Sequence, residues 1–392
     1  MTRELVLGID FGSASTIAGV LVGSRIELVQ DAGDSVIPSV IYVPDRGDSV
    51  VGRRAIAHQI AEPSNTIRSV KRLLGLDSSS ELVRRFAAST ALPLDLTTPR
   101  PMFKLRSGAQ APEQVAAAII GYVRTLAEQR FGVRIRRAVM TMSAGAPPGY
   151  RDAIIRASKI AHLELVDLIA EPVAASLALD LHSYPGNRRI IVCDFGGSTF
   201  DVSAVVQQGL RFTPVGVGGD HLLGGDDLDD ALANTIAGVV YKKTRYDMTR
   251  EVTRWTELVL RCENVKRQLS VVENTPLAMR EAFTADGKRQ DLRTVVDRPF
   301  AERAWATLMH RVREVIQDLL VRTGWAPEDV DLVGLVGGGS MIPVFQATVA
   351  SVLPADRIRR ADQPELAVAQ GATLLTARHS RTSSELPNLV AT

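Results

Sequence analysis

Two aspartates that end apolar runs in the same way are the strongest candidates for chemistry in this chain. Asp10 lies in "LGIDFGSAST", and Asp194 lies in "RIIVCDFGGSTFDVSAVV", a second copy of the pattern about half a chain later. In both copies small residues follow Asp-Phe-Gly and an apolar run resumes, which predicts a strand, a tight turn and another strand. The GxxxxGK[ST] phosphate loop, in contrast, leads from a strand into a helix.

We expect Asp10 and Asp194 to face one another across a cleft between two similar lobes. Two carboxylates there would repel each other and any phosphate. A hard cation such as Mg²⁺ removes this repulsion, because it prefers oxygen ligands and usually keeps several waters. Small residues after each aspartate let backbone N–H groups approach phosphate oxygens closely. The turns therefore predict a clamp on the phosphates of a nucleotide, built from Gly12, Ser13, Gly196, Gly197 and Thr199.

A third glycine turn, "VGGGSMIP", begins at Val336 and leads into a helix predicted from about Pro343. By itself it is compatible with an ordinary helix entry. Beside the other two turns it favours a close backbone approach to an α-phosphate or a sugar, helped by the helix dipole. The glycines concerned are Gly337, Gly338 and Gly339.

The helix predicted over "CENVKRQLS" carries four polar side chains on one face, at spacings i, i+3, i+4 and i+7. They are Glu263, Lys266, Arg267 and Ser270. Glu263 and Lys266 are suited to ribose hydroxyls, and Arg267 and Ser270 to a base. Taken alone, the spacing favours a solvated face with a Glu263–Arg267 ion pair, so both interpretations stay open at this point.

Length and composition limit the possible classes of protein. A chain of 392 residues with 45% apolar residues predicts two lobes with sizeable cores and excludes global disorder. The net charge of +2 gives no sign of nucleic-acid binding. Cys193 and Cys262 lie in apolar segments, which is typical of reduced core cysteines. Since no apolar run reaches membrane-spanning length and no signal peptide is recognisable, we expect a cytoplasmic protein.

The rest of the chain alternates predicted strands and helices, which favours an α/β fold. Because the Asp-Phe-Gly pattern repeats at about half the length, we expect two lobes built alike. Lobe I is predicted at 1–184, with a small subdomain at about 39–111, and lobe II at 185–378, with a small subdomain at about 228–305. Residues 379–392 lack periodicity and predict a flexible tail.

Eight motifs occur in the order that is typical of one family. They are "GIDFGSAST", "SVKRLLG", "IAEPVAASLAL", "VCDFGGSTFDVS", "GGDHLLGGDDLDDAL", "CENVKRQLS", "LVGGGSMIP" and "ELAVAQGATLLTA". With them the chain resembles the nucleotide-binding domain of the seventy-kilodalton heat-shock chaperones (DnaK-like), in the actin/sugar-kinase superfamily. The resemblance implies an actin-like ATPase fold, with two similar lobes around a nucleotide cleft, each a mixed sheet flanked by helices. It also implies that the last helix returns to lobe I.

The resemblance further implies roles for individual residues. The catalytic set would be Lys71, at the γ-phosphate and attacking water, Glu171, a proton acceptor or positioner, Thr199 and Asp194. Mg²⁺ would be held, largely through water, by Asp10, Asp194 and Asp201. The residues that contact ATP or ADP would be Gly12, Ser13, Ala14, Ser15, Gly196, Gly197, Ser198, Gly224, Glu263, Lys266, Arg267, Ser270, Gly337, Gly338, Gly339, Met341 and Glu365.

Several positions depart from the family pattern. Ala14 replaces a threonine of the first turn, Ser198 a glycine of the second, Met341 an arginine beside the adenine, and Ser143 a proline described as a switch. Near Glu171, the residues Asp167, Ala170 and Val173 replace an arginine, an asparagine and a threonine that contact J-domain co-chaperones. Nothing in residues 379–392 resembles the interdomain linker, and we expect no peptide-binding domain in this chain. We therefore expect no stimulation by J-domain proteins.

The sequence favours a Mg-dependent ATPase that hydrolyses ATP slowly to ADP and phosphate. Two alternatives stay open: a regulatory or filament-like module that binds nucleotide with little turnover, and a small-molecule kinase of the same superfamily. The expected partners are the nucleotide and a protein partner or client that the sequence does not identify. No nucleic acid and no membrane segment are expected.

Overall fold

A computed structural model describes residues 4–90, 92–179 and 186–379 of the protein. The predicted boundary between 184 and 185 and all of the predicted tail except residue 379 lie outside the described residues. No helix in these ranges is both long enough and apolar enough to span a membrane. Cys193 and Cys262 are buried and form no disulfide.

The first half of the chain builds a mixed sheet with helices around it. Its strands are β1 (Val6–Phe11), β2 (Ser15–Val22), β3 (Arg25–Leu28), β4 (Ile37–Pro38), β5 (Ile41–Tyr42), β6 (Val50–Val51), β7 (Thr66–Ile67), β8 (Leu94–Asp95), β9 (Met102–Leu105), β10 (Gly108–Gln110), β11 (Arg137–Met142) and β12 (Glu164–Ala170). Its helices are α1 (His58–Ala61), α2 (Glu81–Ser89), α3 (Pro112–Phe131), α4 (Tyr150–Ile160) and α5 (Glu171–Ala178). The main sheet has the order β12-β11-β1-β2-β3, and β4 pairs with β2.

The second half repeats this plan. Its strands are β13 (Gly186–Phe195), β14 (Phe200–Gly209), β15 (Arg211–Asp220), β16 (Asn274–Ala285), β17 (Lys288–Asp297), β18 (Leu332–Val336) and β19 (Ile358–Arg360). Its helices are α6 (Gly225–Thr244), α7 (Val252–Leu269), α8 (Arg298–Thr323), α9 (Pro343–Ala350) and α10 (Ala367–Leu375). The main sheet has the order β15-β14-β13-β18-β19, and β16 and β17 form a separate antiparallel pair.

The two main sheets share one topology. In the first, β1 runs antiparallel to β2 and parallel to β11, which is parallel to β12. In the second, β13 runs antiparallel to β14 and parallel to β18, which is parallel to β19. The duplicated Asp-Phe-Gly pattern therefore ends equivalent strands, β1 and β13. The prediction of an actin-like fold with two similar lobes is confirmed, while the predicted limits of the lobes and subdomains stay predictions.

Three large apolar clusters and a small fourth one around Ile17 stabilise the described part of the fold. One cluster belongs to the first half and another to the second. The third combines residues of both halves, with Val139, Ala174, Val192 and Val368 among its buried members. We call this third cluster, built around α5 and α10, the joining core. Here α10 packs against α5, β1, β2 and β11, so a helix from the end of the described chain contacts elements of the first half.

Two basic residues close together usually indicate the solvent-facing side of a helix, but the segment around Lys71 differs from this pattern. Lys71 and Arg72 lie on a short 3₁₀ turn, Val70–Leu73, that follows Ser69 in a left-handed backbone conformation (φ +55°). Their side chains are only 14% and 9% exposed, because both form ion pairs. Spacing could not indicate this, since both partners lie far away in the sequence.

Candidate functional site

Almost all the predicted site residues line one cavity of about 350 Å³ between the two halves. The first turn contributes Asp10, Gly12, Ser13, Ala14 and Ser15, and the second contributes Asp194, Gly196, Gly197, Ser198 and Thr199. The other predicted residues on its wall are Lys71, Glu171, Glu263, Lys266, Arg267, Ser270, Gly337, Gly338, Gly339, Met341 and Glu365. Such a cavity is large enough for a nucleotide. Segments far apart in sequence thus come together as predicted, whereas the role of each residue stays a prediction.

The two Asp-Phe-Gly turns pack directly against each other. A Cβ added to Gly197 would lie 2.3 Å from the Cβ of Ala14, so only glycine fits opposite the first turn. The Gly196 N–H donates to the Thr199 carbonyl at 3.0 Å and closes the second turn. Because the two turns touch, they form one continuous part of the cavity wall between the halves.

The third glycine turn approaches Asp194 from the neighbouring strand. Gly337 follows β18, which pairs with β13, and it has a φ of +78° that favours glycine. A Cβ on Gly337 would lie 2.4 Å from Asp194 Oδ1. The chain then forms a 3₁₀ turn, Gly338–Met341, and enters α9 at Pro343, as predicted.

Lys71 and Glu171 form an ion pair within the cavity. Lys71 Nζ donates to Glu171 Oε1 at 2.9 Å, although the two residues are 100 positions apart. Glu171 is the first residue of α5, and Pro172 follows it at the helix start. Burial raises the pKa of Glu171 to about 7, against the opposing effect of Lys71 and with added repulsion from Asp10 and Asp201. At neutral pH this carboxyl therefore exchanges a proton readily.

Asp10 and Asp194 are buried carboxyls in the same cluster. Burial raises the pKa of Asp194, and repulsion from Glu171, Asp201 and Asp10 adds to the shift. Burial also raises the pKa of Asp10, against the attraction of Lys71 and a hydrogen bond from Thr141 Oγ1 at 2.9 Å. A cation at this cluster would stabilise the ionised forms. Within the described ranges, no group of three or more His, Cys, Asp or Glu side chains is arranged to hold a metal ion directly.

Two predicted residues lie behind the cavity wall. Asp201 does not line the cavity, and its Oδ1 accepts a hydrogen bond from Ser143 Oγ at 2.5 Å. Gly224 packs against the backbone of Ser198. Ser143, which replaces the family's proline, therefore links the end of the first sheet to Asp201 of the second.

The predicted face of α7 does line the cavity, but its side chains already have protein partners. Arg267 Nη2 pairs with Glu263 Oε1 at 2.9 Å, as the solvated-face interpretation predicted. Lys266 Nζ donates to Asp229 Oδ2 at 2.7 Å and to the Gly225 carbonyl at 2.7 Å. Both interpretations of this helix are therefore compatible with the structure.

Asp229 is a buried residue of the site that the sequence did not single out. Burial raises its pKa to about 8, against the attraction of Lys266 and with added repulsion from Glu263. Its side-chain Oδ1 has no hydrogen-bond partner among the described residues. One signal was available, since Asp229 occupies the buried stripe of α6 between Gly225 and Ala233, where apolar side chains are usual.

Comparison with known proteins agrees with this geometry. A family model described as "Hsp70 protein" matches residues 6–387. Chaperone protein DnaK of Buchnera aphidicola subsp. Schizaphis graminum is 30% identical over 378 residues, which cover 94% of this chain and 59% of that protein. Chaperone protein DnaK of Mycoplasma mobile is 28% identical over 347 residues, which cover 88% of this chain and 54% of that protein. The chain thus spans little more than half the length of these relatives.

Proposed function

The chain belongs to the Hsp70 family, and we propose that it binds ATP and ADP with Mg²⁺ in the cavity between its halves and hydrolyses ATP slowly to ADP and phosphate. The observation that carries this proposal is the Lys71–Glu171 ion pair in a cavity that is also lined by both Asp-Phe-Gly turns. A cation, a proton acceptor and backbone donors are the groups that phosphoryl transfer to water requires.

Asp10 and Asp194 suit a Mg²⁺ ion that keeps most of its waters. Their buried, mutually repelling carboxyls supply the oxygen ligands that Mg²⁺ prefers. Mg²⁺ at this position would supply charge neutralisation for the phosphates and carboxylates. Asp201 would contribute less, because its Oδ1 is occupied by Ser143.

Each group of the protein would then have a separate role in binding or hydrolysis. The N–H groups of the two turns bind phosphate oxygens, and Thr199 lies beside the terminal phosphate. Lys71 stabilises the charge that develops on the transferred group and orients the water. Glu171 accepts the water's proton, for which a pKa of about 7 is well suited. Glu263 and Lys266 bind the ribose, and Arg267 and Ser270 contact the base opposite Met341.

The test is calorimetry with Mg-ATP, followed by measurement of phosphate release from the same preparation. We expect binding heat and slow release of phosphate without an added acceptor. Absence of binding heat at about millimolar ATP, a concentration that detects even weak complexes, would refute the proposal. Binding without release would favour the regulatory module, and phosphate transfer only to an added hydroxyl compound would favour the kinase.

We also propose that J-domain proteins do not stimulate this chain, and that it works in the cytoplasm with an unidentified protein partner or client. Asp167 replaces the family's arginine, so an aspartate of a docking J domain would face another carboxylate. Like charges disfavour docking. The Oδ2 of Asp167 lies 3.2 Å from His379 Nε2. Val173 is only 3% exposed, so it belongs to the joining core rather than to a docking surface. A tenfold acceleration of single-turnover hydrolysis by a J domain would contradict this expectation.

A further inference from the structure

A set of charged contacts joins the two halves beside Lys71. Arg68 Nη2 donates to Asp226 Oδ1 at 2.6 Å, across 158 positions of sequence. Ser69 Oγ donates to the other oxygen of the same carboxylate, also at 2.6 Å. Arg72 Nη2 donates to Asp227 Oδ2 at 2.6 Å. We call these five residues, Arg68, Ser69, Arg72, Asp226 and Asp227, the clasp.

The clasp is partly shielded from water, which makes its charges stronger partners than an exposed surface pair would be. Burial would raise the pKa of Asp226, but Arg68 and Arg72 outweigh it, and the pKa lies below its ordinary value. Attraction to Asp226 raises the pKa of Arg68, against the opposing effect of burial. Both groups are therefore charged at neutral pH, whereas burial raises the pKa of Asp227 above its ordinary value.

The acidic half of the clasp is attached to the second phosphate turn. Asp226 and Asp227 lie in the first turn of α6, where the helix dipole favours acidic side chains. The Asp226 N–H donates to the Gly197 carbonyl at 2.6 Å. Asp227 Oδ2 accepts from the Gly224 N–H at 2.8 Å. A shift of these carboxylates would therefore displace the turn itself.

The basic half of the clasp surrounds Lys71 in the sequence. Ser69 has a left-handed backbone, with φ +55° and ψ +30°, which a serine adopts only where its surroundings hold it. Its hydroxyl is bound to Asp226 of the other half. Arg72, on the other side of Lys71, also donates to the Ser198 carbonyl at 2.7 Å. Both neighbours of the Lys71 turn are thus fixed to the opposite half.

The clasp also separates two cavities. Asp226 lines the nucleotide cavity, and it lines a second, outer cavity of about 120 Å³ together with Arg68, Ser69 and Arg72. Opening the clasp would join the two spaces and give the nucleotide cavity another route to solvent.

We propose that the clasp closes the two halves over the nucleotide and positions Lys71, so that Arg68, Ser69 and Asp226 are positioning residues of the site. This inference rests on the proposed function for its kinetic consequences, but the closure of the halves is measurable without nucleotide. Lys71 reaches its working position only while both of its neighbours are held by the second half.

The first experiment measures the halves themselves. The variants Ser49→Cys and Lys243→Cys place spin labels on exposed positions of the two halves, and the native cysteines are buried. In nucleotide-free protein, Arg68→Met should shift the label–label distance distribution to longer values, and Arg289→Met should not. Arg289 pairs with Glu251 at 2.8 Å within the second half, so it is a matched control. An unchanged distribution in Arg68→Met would overturn the proposal.

The second experiment measures release of a fluorescent ADP in stopped flow. Arg68→Met and Asp226→Asn should each speed release at least about tenfold, because one partner of a shielded charge pair is lost. The double variant should release ADP no faster than either single variant. Arg68→Lys, which keeps the positive charge, should keep most of the slow release of the parent protein. Additive effects of the two substitutions would contradict a direct pair. If the parent protein bound no nucleotide, the proposed function would fail while the spin-label result still decided on closure.

A third measurement addresses the position of Lys71. Ser69→Ala removes the hydrogen bond to Asp226 that holds the left-handed backbone in place, so kcat should fall several-fold while the KM for ATP stays nearly constant. Ser69→Gly, which relieves the strain, should lose less activity. If both variants lowered kcat/KM equally by raising KM, with kcat unchanged, Ser69 would affect nucleotide binding and would not position Lys71.

Discussion

The two halves of this protein are joined in two physically different ways. At the joining core, α10 packs on α5 so closely that a Cβ on Gly371 would lie 1.9 Å from the Ala174 carbonyl oxygen. At the clasp, the halves are joined by ion pairs such as Arg68–Asp226 at 2.6 Å. Close apolar packing cannot open by a small step, because it has no intermediate geometry. Ion pairs can exchange for water, so the clasp is the part that can open and the joining core the part that stays.

The pKa values of two carboxyls, one beside the joining core and one in the clasp, are also shifted in opposite directions. Next to the joining core, burial raises the pKa of Glu171 to about 7. In the clasp, the arginines hold the pKa of Asp226 below its ordinary value. Glu171 is thus suited to proton exchange near neutral pH, whereas Asp226 stays ionised there. The predictions below separate the two regions, beginning with the largest expected effect.

Lys71 is the point at which the regions meet, because it pairs with Glu171 of α5 while its neighbours belong to the clasp. We expect Lys71→Ala to lower kcat about 100-fold or more, with nucleotide affinity changed only a few-fold, since the ammonium acts on developing charge. Single-turnover hydrolysis and calorimetry measure the two quantities. Turnover at the parent rate would show that Lys71 has no role in catalysis.

A methyl group at Gly371 should damage the joining core. Gly371→Ala should reduce the free energy of unfolding by about 1–3 kcal/mol, because the helices cannot keep their separation. The matched control is Gly238→Ala in α6, where an added Cβ meets nothing within 4 Å. That change should raise stability by up to about 1 kcal/mol through helix propensity. Urea unfolding of both variants tests the contrast, and equal effects would argue against close packing at Gly371.

A pH series should affect the two regions differently. Glu171 has a raised pKa of about 7 and must be deprotonated to accept a proton. We therefore expect kcat/KM for ATP hydrolysis to rise roughly 20-fold from about pH 5.5 to 7.5 and then to level off. Glu171→Gln should remove this dependence. ADP release should change little over the same range, since the pKa of Asp226 is lowered and its pair with Arg68 stays charged.

Salt should affect the clasp alone, and by the smallest amount. Raising NaCl from about 0.05 to 0.5 M should speed ADP release about threefold, because screening weakens partly exposed pairs. The free energy of unfolding of the protein should change by less than about 0.5 kcal/mol over the same salt range, since the apolar packing of the joining core carries no charge. The variant Arg68→Met should lose the salt effect on release. A salt effect that survives in this variant would assign the screening to another pair.

Much of the site could be read from the sequence because short-range geometry decides it. The duplicated Asp-Phe-Gly turns, the third glycine turn and the polar face of α7 depend on spacings of a few residues, and all of them line the cavity. The same local signals were insufficient for the Lys71 segment, which is a 3₁₀ turn and not a helix. Asp229 was missed because its one local signal, an acid in the apolar stripe of α6, is weak in a stretch that contains several acids.

The sequence by itself determined the repeated fold, the glycine turns and the residue types that meet at the cavity, because these follow from periodicity and from the conformations that glycine allows. Only the tertiary structure decided which charges meet. Glu171 could have faced solvent at a helix start, and Asp226 could have capped α6 without a partner. The pairs Lys71–Glu171 and Arg68–Asp226 join positions 100 and 158 residues apart. Such pairs depend on how two separate sheets are placed by the joining core, and no local pattern contains that placement.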